Sequence, residues 1–164
     1  MTKDKLRLLL FDDCNRNCPG CCNRDWDLQA LPLCQDYTPY RLIMLTGGEP
    51  YAVSGDYSGA IAAIRRQTNV LSTSIRYAGT TGRADATVGR VTVTLHTPED
   101  IPVFQSFDRT AQNLTGKSLR LNVFDEVGTV ICRPEWQVKD HMRWIQLPLP
   151  EGEVLMRYQP SKNP

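Results

Sequence analysis

The chain has no apolar run approaching the roughly 20 residues needed to span a membrane. Its early stretch Leu6-Arg7-Leu8-Leu9-Leu10-Phe11 is also too short for the apolar centre of a secretion signal. The expectation is a cytoplasmic protein with no membrane partner. Charge of one sign is equally lacking: 19 Lys and Arg stand against 18 Asp and Glu, for a net charge of +1. No cationic excess therefore exists to hold a nucleic acid by counterion release, and none is expected as a partner. There is no repeat of fixed period, no low-complexity tract and no Gly/Ser/Pro linker. With 164 residues in all, the chain suits one ordinary domain. Residues 1–159 are expected to form it, followed by a short frayed tail over 160–164. H-E-x-x-H, G-x-S-x-G and Walker loops are missing. The string Gly79-Thr80-Thr81-Gly82 lacks the Lys-Ser/Thr ending of a phosphate loop. Hydrolase and NTPase chemistry have no residues to stand on.

Short apolar runs alternate with segments of helical spacing, the pattern of βαβ units around a mostly parallel sheet. Strands are expected near Leu6–Phe11, Leu42–Thr46, Ser74–Ala78, Val91–Leu95 and Leu119–Phe124. One crossover helix is expected over Tyr57–Gln67, where Ala60, Ile61, Ile64 and Arg65 recur at helical spacing. A second is expected over Glu99–Gln112, announced by Thr97 as N-cap, Pro98 at the first position and acids in the first turn. Val91, Val93 and Leu95 alternate with Thr92, Thr94 and His96, and Leu119, Leu121 and Val123 alternate with Arg120 and Asn122. One strand face thus meets helices and the other lines something wetter. The expected fold is α/β, an incomplete (β/α) barrel of about five or six mostly parallel strands. A half-exposed antiparallel sheet is the alternative.

Six cysteines stand at 14, 18, 21, 22, 34 and 132, four of them within nine positions. A secreted disulfide framework spreads its cysteines, so this crowding points to metal or cluster chemistry in a reducing compartment. Cys18-Pro19-Gly20-Cys21 specifies a β-turn, because Pro presets position i+1 and Gly supplies the positive φ of i+2. Two thiolates are turned toward one centre, and Cys14 can close on it, giving C-x3-C-x2-C. Three thiolates are one short of the four that usually hold an iron–sulfur cluster. A site with an open position takes substrate, whereas a fully ligated one is structural or carries electrons. Cys22 or Cys34 as a fourth ligand would give a non-enzymatic zinc or iron–sulfur protein instead. Cys132 reads as a small buried hydrophobe.

The apolar run Leu42–Thr46 ends in Gly47-Gly48-Glu49-Pro50. Successive glycines let backbone approach a ligand closely, and Pro50 holds Glu49 extended at the strand's end. Ligands of α/β folds bind beyond the carboxyl ends of strands. A parallel sheet would bring the cysteine loop and this turn to the same end. The bland alternative is a plain strand-to-helix turn.

At these residues the chain resembles the radical S-adenosylmethionine (radical SAM) enzymes. Cys14, Cys18 and Cys21 match the cluster loop after their first barrel strand, and Gly47, Gly48 and Glu49 match the turn after their second. The resemblance implies a 4Fe-4S cluster held by the three cysteines, with S-adenosylmethionine as ligand of the fourth iron and an electron donor as a further partner. It also implies that Gly47, Gly48 and Glu49 seat the methionyl ammonium. Reductive cleavage would yield a 5′-deoxyadenosyl radical for hydrogen abstraction, with the hard chemistry belonging to the cofactor. Cys18-Pro19-Gly20-Cys21 followed by Asn23 in a short chain is similar to the activating enzymes of anaerobic ribonucleotide reductase, which implies a glycyl-radical partner protein. A Thr-Gly-Gly-Glu-Pro turn is also found in the small-molecule 7-carboxy-7-deazaguanine synthases. Glu49 and Cys22 stand where the activating enzymes commonly have Asp and an aromatic residue.

Thr94 and His96, on the polar face at the end of their strand, and Asn122, on the equivalent face of the next, are further candidate cofactor contacts. The competing assignment for them is a solvated or hydrogen-bonded set. Arg120 on that face either binds a carboxylate or phosphate or fills the interior. His141 falls in the charged stretch Lys139–Arg143 and is expected at the surface. Asp12 and Asp13 read as turn formers. Trp26, Trp136 and Trp144 read as packing anchors.

Overall fold

The structure is a computed structural model, and it describes residues 3–10, 27–46, 57–68, 73–78, 89–110, 114–143 and 149–159. They fall into two compact units: Met1–Ser72 with Gln146–Pro164, and Thr73–Ile145. The expected tail over 160–164 lies outside the described residues.

The first unit carries strands β1 (Lys5–Leu9), β2 (Leu33–Cys34), β3 (Leu42–Thr46) and β8 (Glu153–Tyr158). They lie in the order β2-β8-β1-β3, and every pair is parallel. Leu6 and Leu8 of β1 stand beside Ile43 and Leu45 of β3, and all four are almost wholly buried. Alternation of side chains along a strand puts these four on one face. Arg7, of the opposite parity, reaches Glu153 of β8 at 2.6 Å through Nη2. Helix α1 (Tyr57–Gln67) buries Ala60, Ile61 and Ile64 and ends in Arg65 and Arg66, cations that suit a helix C-terminus. Gln67 ties its end to the preceding turn, accepting from the Tyr37 N–H at 3.0 Å and donating to the Gln35 carbonyl at 3.3 Å.

The second unit carries β4 (Thr73–Ala78), β5 (Arg90–Leu95), β6 (Ser118–Phe124) and β7 (Trp136–Met142). They run parallel in sequential order. Helix α2 (Asp100–Thr110) links β5 to β6. Its Phe104 is wholly buried and meets the Trp136 ring edge-on at 5.3 Å. Val91, Val93, Leu95, Leu119, Leu121 and Val123 form the buried strand face. The helix begins one residue later than expected, because the Asp100 carboxylate folds back to accept the N–H groups of His96 at 2.7 Å and Thr97 at 3.2 Å. Asp100 thereby satisfies backbone donors just outside the helix, where caps are needed.

The α/β class and parallel pairing stand, and the antiparallel alternative is overturned. The count of five or six strands is too low, since eight are described. β2 has two residues, and β7 exposes five of its seven, so neither carries a periodic apolar signal. Among the described residues, no helix is long and apolar enough to cross a membrane.

Candidate functional site

The carboxyl ends of β1 and β3 define the candidate site. The two strands are adjacent and parallel, with Leu9 opposite Thr46. The ladder continues one step beyond β1, where the Leu10 N–H donates to the Thr46 carbonyl at 2.9 Å. The segment bearing Cys14, Cys18 and Cys21 follows Leu10, and Gly47, Gly48 and Glu49 follow Thr46. Neighbouring strands of a sheet lie about 4.8 Å apart, so the two segments leave from adjoining points at one end of the sheet. These six residues, with Cys22, lie outside the described residues. Elsewhere, among the described residues, no three His, Cys, Asp or Glu side chains gather as metal ligands.

Cys34 was the other candidate ligand. It lies opposite Tyr158, is 4% exposed, and its Sγ donates to the Asp36 carbonyl at 3.4 Å. Burial pushes its thiol up to about 11, and burial likewise pushes the neighbouring Tyr37 hydroxyl up to about 12. Metals take the thiolate, and this pocket favours the neutral, donating thiol.

No protein family, curated protein or solved structure matches the chain. The site therefore stands on its motifs and its strand geometry.

The second unit positions the remaining candidates. Thr94 and Asn122 are partners in register, and the Asn122 Nδ2 donates to Thr94 Oγ1 at 3.2 Å. His96 stands one residue past β5, half-buried, with its ring tilted against Phe124 at 4.9 Å. Thr94 and Asn122 are thus brought together, and His96 follows along the same face. Arg120 is exposed on that face. Cys132 is half-buried, where a small buried hydrophobe is the expectation, and burial pushes its thiol up. His141 is exposed as expected, with its Nδ1 2.9 Å from Asp125 Oδ1. The Arg143 and His141 hydrogen bonds hold the Asp125 carboxyl below its ordinary value. Trp136 is the packing anchor expected of it, and it also donates from Nε1 to Asp108 at 2.8 Å. Trp26 and Trp144 lie outside the described residues, as do Asp12, Asp13 and residues 79–82. Sequence reasoning missed Lys139, which stands opposite Asn122; only the pairing of β7 reveals its place.

Proposed function

We propose that the chain is a radical SAM enzyme, and the register of Leu9 with Thr46 is the observation that carries this reading. Two motifs 26 positions apart, from Cys21 to Gly47, are tethered to adjoining strand ends. The donor set fits a cluster with an open iron, since three cysteines occur in eight residues while Cys34 is held as a neutral thiol. In this reading Cys14, Cys18 and Cys21 hold a 4Fe-4S cluster. When bound, such a cluster in its reduced form supplies the electron that cleaves the sulfonium of S-adenosylmethionine to methionine and a 5′-deoxyadenosyl radical. The work of the chain is positioning. Bare backbone at Gly47 and Gly48, with the Glu49 carboxylate, suits the methionyl ammonium. Within the second unit, Thr94, His96 and Asn122 carry hydroxyl, imidazole and amide groups of the kinds that bind a ribose or a polar substrate. The incomplete (β/α) barrel, the cytoplasmic compartment and the electron donor belong to the same proposal.

A glycyl-radical partner protein is the first candidate for the hydrogen donor, on the resemblance of the cysteine loop. A radical needs something to exclude water from it, and a docked protein would do so. A small-molecule substrate is the second reading, favoured by the polar face bearing Thr94, Asn122 and Arg120.

Anaerobic reconstitution with iron and sulfide, followed by reduction with S-adenosylmethionine, tests the proposal. Wild type should release 5′-deoxyadenosine and Cys14→Ala should release none. Glu49→Ala should keep the cluster and bind S-adenosylmethionine at least tenfold more weakly. A bound cluster without cleavage would move the assignment to an electron carrier or structural protein.

A further inference from the structure

The second unit presents one strand face rich in cations. Pairing across β5, β6 and β7 places Thr92, Arg120 and Gln137 in one row and Thr94, Asn122 and Lys139 in the next. Arg90 begins the same face one row earlier, opposite Ser118. Among these residues are three cations and no acid, in a chain whose charges as a whole balance to within one. Two strand arginines of the first unit are engaged: Arg7 is paired with Glu153 at 2.6 Å, and Arg157 donates to the Gln29 carbonyl at 3.0 Å. Arg120 and Lys139 are exposed, and neither makes an ion pair among the described residues. Strand spacing and rise put their Cα atoms about 8 Å apart. Between and beside them lie neutral donors, with Asn122 already held to Thr94 at 3.2 Å. Arg76 holds the register position next to Thr92.

We infer that this face binds a small molecule bearing a carboxylate or phosphate group. A guanidinium offers a planar fork that either anion accepts in bidentate fashion, and an ammonium adds a point charge for a second oxygen. A nucleic acid is the poorer occupant, because binding a phosphodiester chain at physiological salt draws on many phosphate contacts. The face holds cations enough for one or two anionic groups. The inference does not depend on the cysteine loop, and it stands or falls by binding alone.

Calorimetric titrations of the whole chain with pyrophosphate and with citrate, at 0.15 M salt, test it and distinguish the two anion sources. Saturable binding of at least one probe is expected. Arg120→Gln with Lys139→Gln should weaken that binding at least tenfold. Arg66→Gln with Arg109→Gln removes equal charge from exposed helix ends and should change it less than twofold. Both pairs are exposed, and the far-ultraviolet circular dichroism of each variant should match wild type. Lys139→Glu alone should also abolish binding, giving a second reading should the double variant misfold. Binding of neither probe overturns the inference, as does equal loss in both double variants. Tighter binding of single-stranded DNA than of either probe would overturn it too.

Discussion

Asp108 is the buried acid around which the β6–β7 connection is tied, and its removal gives a graded prediction. Its side chain is 8% exposed. Oδ1 accepts from Trp136 Nε1 at 2.8 Å and from Arg133 Nε at 2.7 Å, and Oδ2 accepts from the Arg133 backbone N–H at 3.0 Å. Asp108→Ala strands a buried indole N–H, which costs about 1–3 kcal/mol. The ion pair adds about 1 kcal/mol or less, because the Arg133 side chain is 40% exposed. The expected loss is about 3 kcal/mol. Asp108→Asn keeps one acceptor oxygen and should lose about half as much. Trp136→Phe removes the N–H while keeping a ring against Phe104, and should cost about 1 kcal/mol. Urea unfolding followed by circular dichroism, with slope unchanged between variants, measures the series. A loss below about 1 kcal/mol for Asp108→Ala, or one no larger than that of Trp136→Phe, would refute the reasoning.

Gly128 has φ 79° and ψ −150°, a region almost confined to glycine. A Cβ there would meet nothing within 4 Å, so Gly128→Ala should cost backbone strain alone, about 1–3 kcal/mol; an unchanged melting temperature would contradict this. The Cys34 thiol, raised by burial to about 11, should alkylate with iodoacetamide more slowly at pH 8 than the half-buried Cys132. Its neutral form is favoured in the folded state, so its contribution to stability is complete below the ordinary cysteine value and is lost as pH rises to about 11. Mass spectrometry of labelled peptides across pH checks the order, and faster labelling of Cys34 would overturn it.

The strands that were legible in sequence are those with an apolar face or core. Leu42–Thr46 and the helix Tyr57–Gln67 appear with the expected bounds, because apolar residues at strand or helix period meet a core that rewards them. β8 was overlooked although Val154, Leu155 and Met156 follow Gly152. It gains its place from pairing with β1 and β2, which no local pattern declares. The Asp108 network joins residues 25 and 28 positions apart, and the row Thr94–Asn122–Lys139 depends on two registers. Such placements follow from sheet order, so the motifs of the candidate site were readable while their polar surroundings were not.

The strand that precedes the cysteine segment has a neighbour that is made much later. β1 spans residues 5–9, and its partner β8 begins at residue 153. The second unit is contiguous in sequence, whereas the first is completed only by residues after 145. On a ribosome adding about 5–20 residues per second, β1 waits on the order of ten seconds for one of its two flanks. Throughout that interval the second unit can finish folding, while β1 keeps an open edge. Whatever depends on the completed first unit therefore waits for β8, while the second unit needs nothing made after residue 145.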